Sequence, residues 1–194
     1  MISDSLARQW CAQAAKGDLA AGSKLLREFY KPIFAYHRRL SRNGEDAADL
    51  TQVTFARVWS SIARFRGASS VSTWIHRIAY CSYVDWVRQL RPPAQQTEAW
   101  WHDIPAADPT PFDQSADLET SRRVYAAVET LPGEHREAIH LHYYQGLSLA
   151  ETAEVLEVPE STLKYHLRNA LDQLRRQLRE PSFIHNFNKP NKIN

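Results

Sequence analysis

Residues Gly146–Arg179 read GLSLAETAEVLEVPESTLKYHLRNALDQLRRQLR, and this stretch decides the fold. Gly146 suits the left-handed position that ends a helix. Ser148 followed three residues later by Glu151 is a capping box, so a new helix starts at Leu149. That helix is short and stops near Leu156. Glu157, Val158 and Pro159 make a tight turn, and Pro159 fits the first turn of the next helix. Beyond it Leu163, Leu167, Ala170, Leu171, Leu174 and Leu178 share one stripe at helical spacing, with Ser161, Lys164, Tyr165, Arg168 and Asn169 on the other side. A short helix, a tight turn and a longer helix with a polar, partly basic outer face describe a helix-turn-helix.

A helix of that kind enters a major groove by its N-terminal half. Lys164 and Arg168 then reach phosphates or guanine edges, and Ser161, Tyr165 and Asn169 reach bases or backbone. An amphipathic helix with a merely solvated face has the same pattern, and Glu160 and Asp172 dilute its charge. Period alone leaves the two readings level.

Outward from this motif the chain is helical by period, without strand-like alternation or an internal repeat. Four helices are expected before it in the N-terminal half: about Ser3 to Lys16, Leu19 to Leu40 (ended by Asn43-Gly44), Asp46 to Ile62, and Val71 to Leu90. The C-terminal half should hold Leu118 to Thr130, Pro132 to Gln145, Leu149 to Leu156 and Pro159 to Arg179. Between the halves lie Pro92, Pro93, Pro105, Pro109 and Pro111, with Glu98, Asp103, Asp108, Asp113 and Asp117 and no Lys or Arg. Proline blocks helix interiors, so this segment is expected to be an extended acidic linker. The tail from Pro181 is expected to be disordered. The expected fold is all-α: domains at 1–91 and 118–180, a linker at 92–117 and a tail at 181–194.

The composition excludes several classes. No run of eighteen apolar residues is present, and the N-terminus lacks a basic segment leading into an apolar one. Membrane insertion and secretion are therefore not expected, and the cytoplasm is the expected compartment. Cys11 and Cys81 form no CxxC pair, so neither a disulfide framework nor a zinc finger is expected. His135, His140 and His142 lack a carboxylate or thiol at a familiar metal spacing and read as structural. Without paired carboxylates, a nucleophile–base pair or a phosphate-cradling loop, neither catalysis, a cofactor nor a small-molecule substrate is expected. The 194 residues carry a net charge of only +2. Duplex affinity grows with the number of phosphates neutralised, so this chain should bind DNA weakly alone and lean on a partner.

Read together, the two halves resemble the sigma-70 family, and within it the extracytoplasmic-function (ECF) branch. Residues 46–59, DAADLTQVTFARVW, are similar to the core-binding segment of that branch. Residues 73–88, TWIHRIAYCSYVDWVR, look like its promoter-melting helix. Leu131-Pro132, REAI at 136–139, GLSLAE at 146–151 and PESTLK at 159–164 resemble its C-terminal domain. The likeness spans about residues 15 to 180, with the motifs in order around a linker. It implies a sigma factor whose first domain binds the clamp of core RNA polymerase and opens the minus-ten element. The second would read the minus-thirty-five element and touch the polymerase flap. An anti-sigma factor is a further implied partner, and the linker would occupy a basic nucleic-acid channel, with Trp100-Trp101 favouring docking.

The resemblance assigns roles to particular residues. Asp49, Gln52, Val53 and Ala56 would dock on polymerase, on a face opposite Leu50, Phe55, Val58 and Trp59. Such a strip suits a helix offering arginines, although by period alone a solvated face is the simpler reading. Arg66, Gly67, Ser69, Ser70, Arg77, Tyr80 and Arg88 would contact the minus-ten strand, because single-strand capture needs rings, cations and a loop that holds an unstacked base. Trp74 and Tyr83 offer further rings, Trp74 being better suited to packing, and Asp85 is expected to pair with an arginine. Ser161, Thr162, Lys164, Tyr165, His166, Arg168 and Asn169 would contact the minus-thirty-five element. Three positions depart from the family pattern. Cys81 replaces the usual Asn, Val53 an acid, and Tyr165-His166 a Ser-Arg pair. The last removes a guanine-reading arginine and implies an unusual minus-thirty-five sequence. The competing reading of the motif is a stand-alone helix-turn-helix regulator that binds an operator without polymerase.

Overall fold

The computed structural model describes residues 2–90 and 118–178. They are helical, with no strand among them, and divide into an N-terminal and a C-terminal unit. The acidic segment 92–117 and the tail 181–194 lie outside the described residues. Among those described, no helix is long and apolar enough to cross a membrane.

In the N-terminal unit each boundary follows from local chemistry. Ser3 caps α1 (Asp4–Ala15) by accepting from the Leu6 N–H. Gly17 then turns the chain with a φ of +96°, which side chains resist. Asp18 accepts from the Ala20 and Ala21 N–H groups and opens α2 (Leu19–Ser41). The end of α2 departs from expectation. Arg42, with a φ of 59°, takes the left-handed position, and Asn43 caps α3 (Gly44–Ser61) by accepting from Glu45 N–H. Asn43-Gly44 therefore begins a helix more than it ends one, and α3 starts two residues before the expected Asp46. A 3₁₀ turn, Ile62–Arg64, leads into the loop before α4 (Val71–Leu90).

The core is a seam of α2, α3 and α4 with α1 laid against it. Leu25, Phe29, Ile33, Tyr36 and Leu40 of α2 face Leu50 and Val58 of α3 and Val71, Ile75, Ala79 and Tyr83 of α4, all buried. Each large apolar side chain buried this way stabilises by about 1.5–3 kcal/mol. His37 lies at the centre, with Nδ1 3.1 Å from Thr51 Oγ1 and Nε2 3.3 Å from the Ala79 carbonyl, tying three helices together.

The C-terminal unit holds α5 (Leu118–Glu129), α6 (Gly133–Ile139), α7 (Leu149–Leu156) and α8 (Glu160–Leu178). Its core joins Val128, Leu131 and Ile139 to Leu163, Leu167, Ala170 and Leu174. The helix expected over 132–145 does not continue to its end. From His140 to Tyr144 the ladder widens to a π turn, with the Gln145 N–H donating to the His140 carbonyl at 3.0 Å. The apolar stripe persists through this turn, so period alone does not reveal the change. Arg136 is buried in the same region, 3.9 Å from the Glu129 carboxylate, with His140 Nε2 3.5 Å from the other oxygen. The capping box at α7 is present, and Gly146 has a φ of +73°.

Candidate nucleic-acid and partner interfaces

The α3 strip is built by one helix turning its apolar residues inward. Leu50 and Val58 are buried, and Asp49, Gln52, Val53 and Ala56 are all exposed along the opposite side. Two residues expected on the inner face depart from it. Phe55 is half-buried, stacked on Tyr30 with centroids 6.2 Å apart. Trp59 remains 38% exposed because its ring lies over Gly22 of α2, where only a missing Cβ makes room. The strip thus has an aromatic shoulder in place of a sharp apolar boundary.

The loop from Phe65 to Ser70 is pinned from a direction the sequence does not indicate. Gly67 adopts a φ of +72°. Arg8 of α1 donates from Nη1 to the Gly67 carbonyl at 2.9 Å and from Nη2 to the Ser69 carbonyl at 2.7 Å. Asp4, one turn earlier, pairs with Arg8 and accepts from the Val71 N–H at 2.8 Å. Ser70 Oγ accepts from the Thr73 N–H and caps α4. Arg66 is exposed at the loop edge, while Gly67, Ser69 and Ser70 are half-buried.

Along α4, Arg77 and Arg88 are exposed and Tyr80 is half-buried. Trp74 packs on Phe65 at 4.8 Å, and Asp85 accepts from Arg57 at 2.7 Å, as expected of both. Tyr83 is fully buried, so its ring belongs to the core and not to any surface that could stack a base. The residues missed were Asp4 and Arg8. Their only sequence signal is an i,i+4 acid–base pair, common on solvated helices.

On α8, Ser161, Lys164, Tyr165 and Arg168 are exposed, and Thr162 and Asn169 are half-buried. Tyr165 is 62% exposed, an unusual state for a large ring. Lys164 pairs with Glu160 one turn away. His166 turns from this face towards α6, its ring 5.4 Å from His135 and Nδ1 3.5 Å from the Glu134 carboxylate. Its place in the 3.6-residue period, between the buried Leu163 and Leu167, explains why. His166 is thus half-buried against α6, whereas Ser161, Lys164, Tyr165 and Arg168 are exposed. Burial, and then His166, holds the His135 pKa below the usual imidazole value. His142 Nδ1 is 2.7 Å from the Leu147 carbonyl, and no cluster able to hold a metal occurs among the described residues.

Known proteins place this arrangement. Residues 25–92 match sigma-70 region 2, and residues 121–174 match sigma-70 region 4. The ECF RNA polymerase sigma factor SigW of Bacillus subtilis is 30% identical over 176 residues, covering 87% of this chain and 94% of that protein. The chain belongs to the ECF sigma factors of the sigma-70 family. This sigma factor is also 34% identical over 162 residues to the ECF sigma factor SigM of Mycobacterium tuberculosis, covering 84% of this chain and 79% of that one. Among solved structures, RpoE from Bartonella quintana, in complex with the anti-sigma factor NepR, has the same fold. Its TM-score is 0.68 at 22% identity, over 82% of this chain and 97% of that one. CnrH, in complex with the cytosolic domain of CnrY, gives a TM-score of 0.67 at 22% identity, over 90% and 97%. The region 2 match begins after α1, so the helix that pins the loop lies outside it.

Proposed function

We propose that this sigma factor binds core RNA polymerase through the α3 strip and opens promoters through the Phe65–Ser70 loop and α4. It reads the minus-thirty-five element through α8. Asp49 accepts charge-assisted bonds from arginines of the polymerase clamp, and Gln52, Val53 and Ala56 let a partner helix approach. Val53 replaces an acid with an apolar contact beside the Phe55 and Trp59 shoulder. Arg66, Arg77 and Arg88 supply phosphate contacts, Tyr80 supplies a stacking face, and Gly67, Ser69 and Ser70 shape the loop that holds an unstacked base. Ser161, Thr162, Lys164, Tyr165, Arg168 and Asn169 face the minus-thirty-five groove.

The domains are assigned to 1–91 and 118–180, the second also touching the polymerase flap. The acidic linker 92–117 is assigned to a basic nucleic-acid channel of the enzyme. The protein acts in the cytoplasm, performs no catalysis of its own, and is held in check by an anti-sigma factor. The RpoE complex with the anti-sigma factor NepR supports that last reading.

The observation that carries the proposal is the open face of α3, where Asp49, Gln52, Val53 and Ala56 are all exposed opposite the buried Leu50, Thr54 and Val58. Asp49→Arg tests it. Core affinity and runoff transcription should fall at least tenfold, with helicity unchanged, because a like charge replaces the acceptor. Full core binding by this variant would sink the docking assignment.

A further inference from the structure

We propose that α1 is the mount of the promoter-melting loop, with Arg8 and Asp4 as positioning residues that preset it for single-strand capture. The inference rests on the assignment of the Phe65–Ser70 loop to the minus-ten strand. Loop backbone has no regular ladder, so its carbonyls must find other donors or stay in water. Here a single guanidinium supplies two donors, reaching Gly67 and Ser69 at 2.9 and 2.7 Å across 59 and 61 residues of sequence. The planar fork spans two carbonyls at fixed separation, which a point-charge ammonium does not reproduce. Asp4 holds the fork from behind and fixes the far end of the loop at the Val71 N–H. Arg8 also sits 5.8 Å from the centre of the Phe65 ring, which itself packs on Trp74. Gly67 completes the fit, since a Cβ there would lie 2.5 Å from Arg8 Nη1 and its φ of +72° disfavours any side chain.

The arrangement holds the loop's carbonyls inward at both Gly67 and Ser69 while Arg66 and Ala68 stay exposed. A loop ordered before it meets DNA does not lose that freedom on binding, so capture is tighter. Arg8 and Asp4 need not touch DNA for this. Their effect falls on capture of the unpaired strand as the duplex opens, not on docking to polymerase.

The test uses the full chain assembled with core polymerase. It compares wild type with Arg8→Ala, Arg8→Lys and the loop variant Arg66→Glu. The readouts are core affinity, thermal midpoint, binding of a single-stranded minus-ten oligonucleotide, fluorescence of 2-aminopurine in the minus-ten element, and transcription from duplex and pre-opened templates. Loss of two charge-assisted bonds should weaken oligonucleotide capture and the fluorescence rise about tenfold in Arg8→Ala, with a smaller loss in Arg8→Lys. Core affinity should hold, and a pre-opened template should restore transcription, which a general folding defect would not allow. Unchanged capture in both Arg8 variants, or a defect that a pre-opened template does not relieve, overturns the proposal. Arg8→Lys keeps the test decisive if the alanine variant does not fold. If Arg66→Glu also captures normally, the assignment of the loop to DNA fails instead; if only that variant is impaired, the mount alone is wrong.

Discussion

Single side chains set two measurable properties of the N-terminal unit. Burial pushes the His37 pKa from 6.5 down to about 4, against a smaller upward pull from its bond to the Ala79 carbonyl. With Nε2–H given to Ala79, Nδ1 is an acceptor and competes with the Ala47 carbonyl for the one Thr51 hydroxyl proton. The folded state therefore resists protonation that the unfolded chain accepts. Stability from this site is complete above pH 6.5 and is lost as pH falls towards 4, by about 3 kcal/mol in all. Urea midpoints between pH 7 and 4.5 should fall along that slope, and His37→Gln should flatten it. A slope unchanged by the substitution would assign acid sensitivity elsewhere. Gly22 is the second case. Gly22→Ala gains about 1 kcal/mol of helix propensity but drives a Cβ into the Trp59 ring, and overpacking costs about 1–3 kcal/mol. Because Trp59 is partly exposed, its ring can yield, so a net loss of about 1 kcal/mol is expected by denaturant unfolding. A gain in stability would mean that the ring moves freely.

At the scale of elements, what the sequence reveals is what neighbours in sequence decide. The limits of α7 are legible because Ser148 and Glu151 close a box within one turn, with the Glu151 N–H donating to Ser148 Oγ at 3.2 Å. α4 is described as far as Leu90, and Pro92-Pro93 just beyond Arg91 make a stop there legible. The α8 face follows from period, as does the α3 strip apart from Phe55 and Trp59, and period also turns His166 inward once Leu163 and Leu167 are placed. The Arg8 strap is not legible, because it depends on packing between helices far apart in sequence, whereas Tyr83, four residues after Ala79 and four before Val87, counts as inward by period. The π turn is not legible because a slipped ladder leaves the apolar pattern intact. The capping box yields a direct prediction. Ser148→Ala should destabilise the C-terminal unit by about 1 kcal/mol, the usual worth of such a cap. Because α7 braces α8, duplex binding at the minus-thirty-five element should weaken with it, while capture of single-stranded minus-ten DNA stays unchanged. Equal loss at both elements in a binding titration would show that the effect is not local to this helix.

At the scale of the molecule, modest charge and divided function belong together. The exposed cations in the N-terminal half of α8 are Lys164 and Arg168, and the first is paired with Glu160. Two phosphates neutralised give a salt slope of about −2, far below that of proteins that hold a duplex unaided. The chain's net charge of +2 adds little general attraction. Under the proposed division of roles, affinity for a promoter comes from presenting both units to DNA on one scaffold, where the second contact forms at high effective concentration. The chain alone should bind promoter duplex no tighter than about 1 μM at physiological salt. Adding core polymerase should tighten binding at least about a hundredfold, as linked sites allow. Fluorescence anisotropy with and without core measures both numbers. Nanomolar binding by the free chain would show that its duplex contacts need no scaffold. A tightening that vanishes in Asp49→Arg would trace the gain to the α3 strip, because that substitution leaves every proposed DNA contact in place.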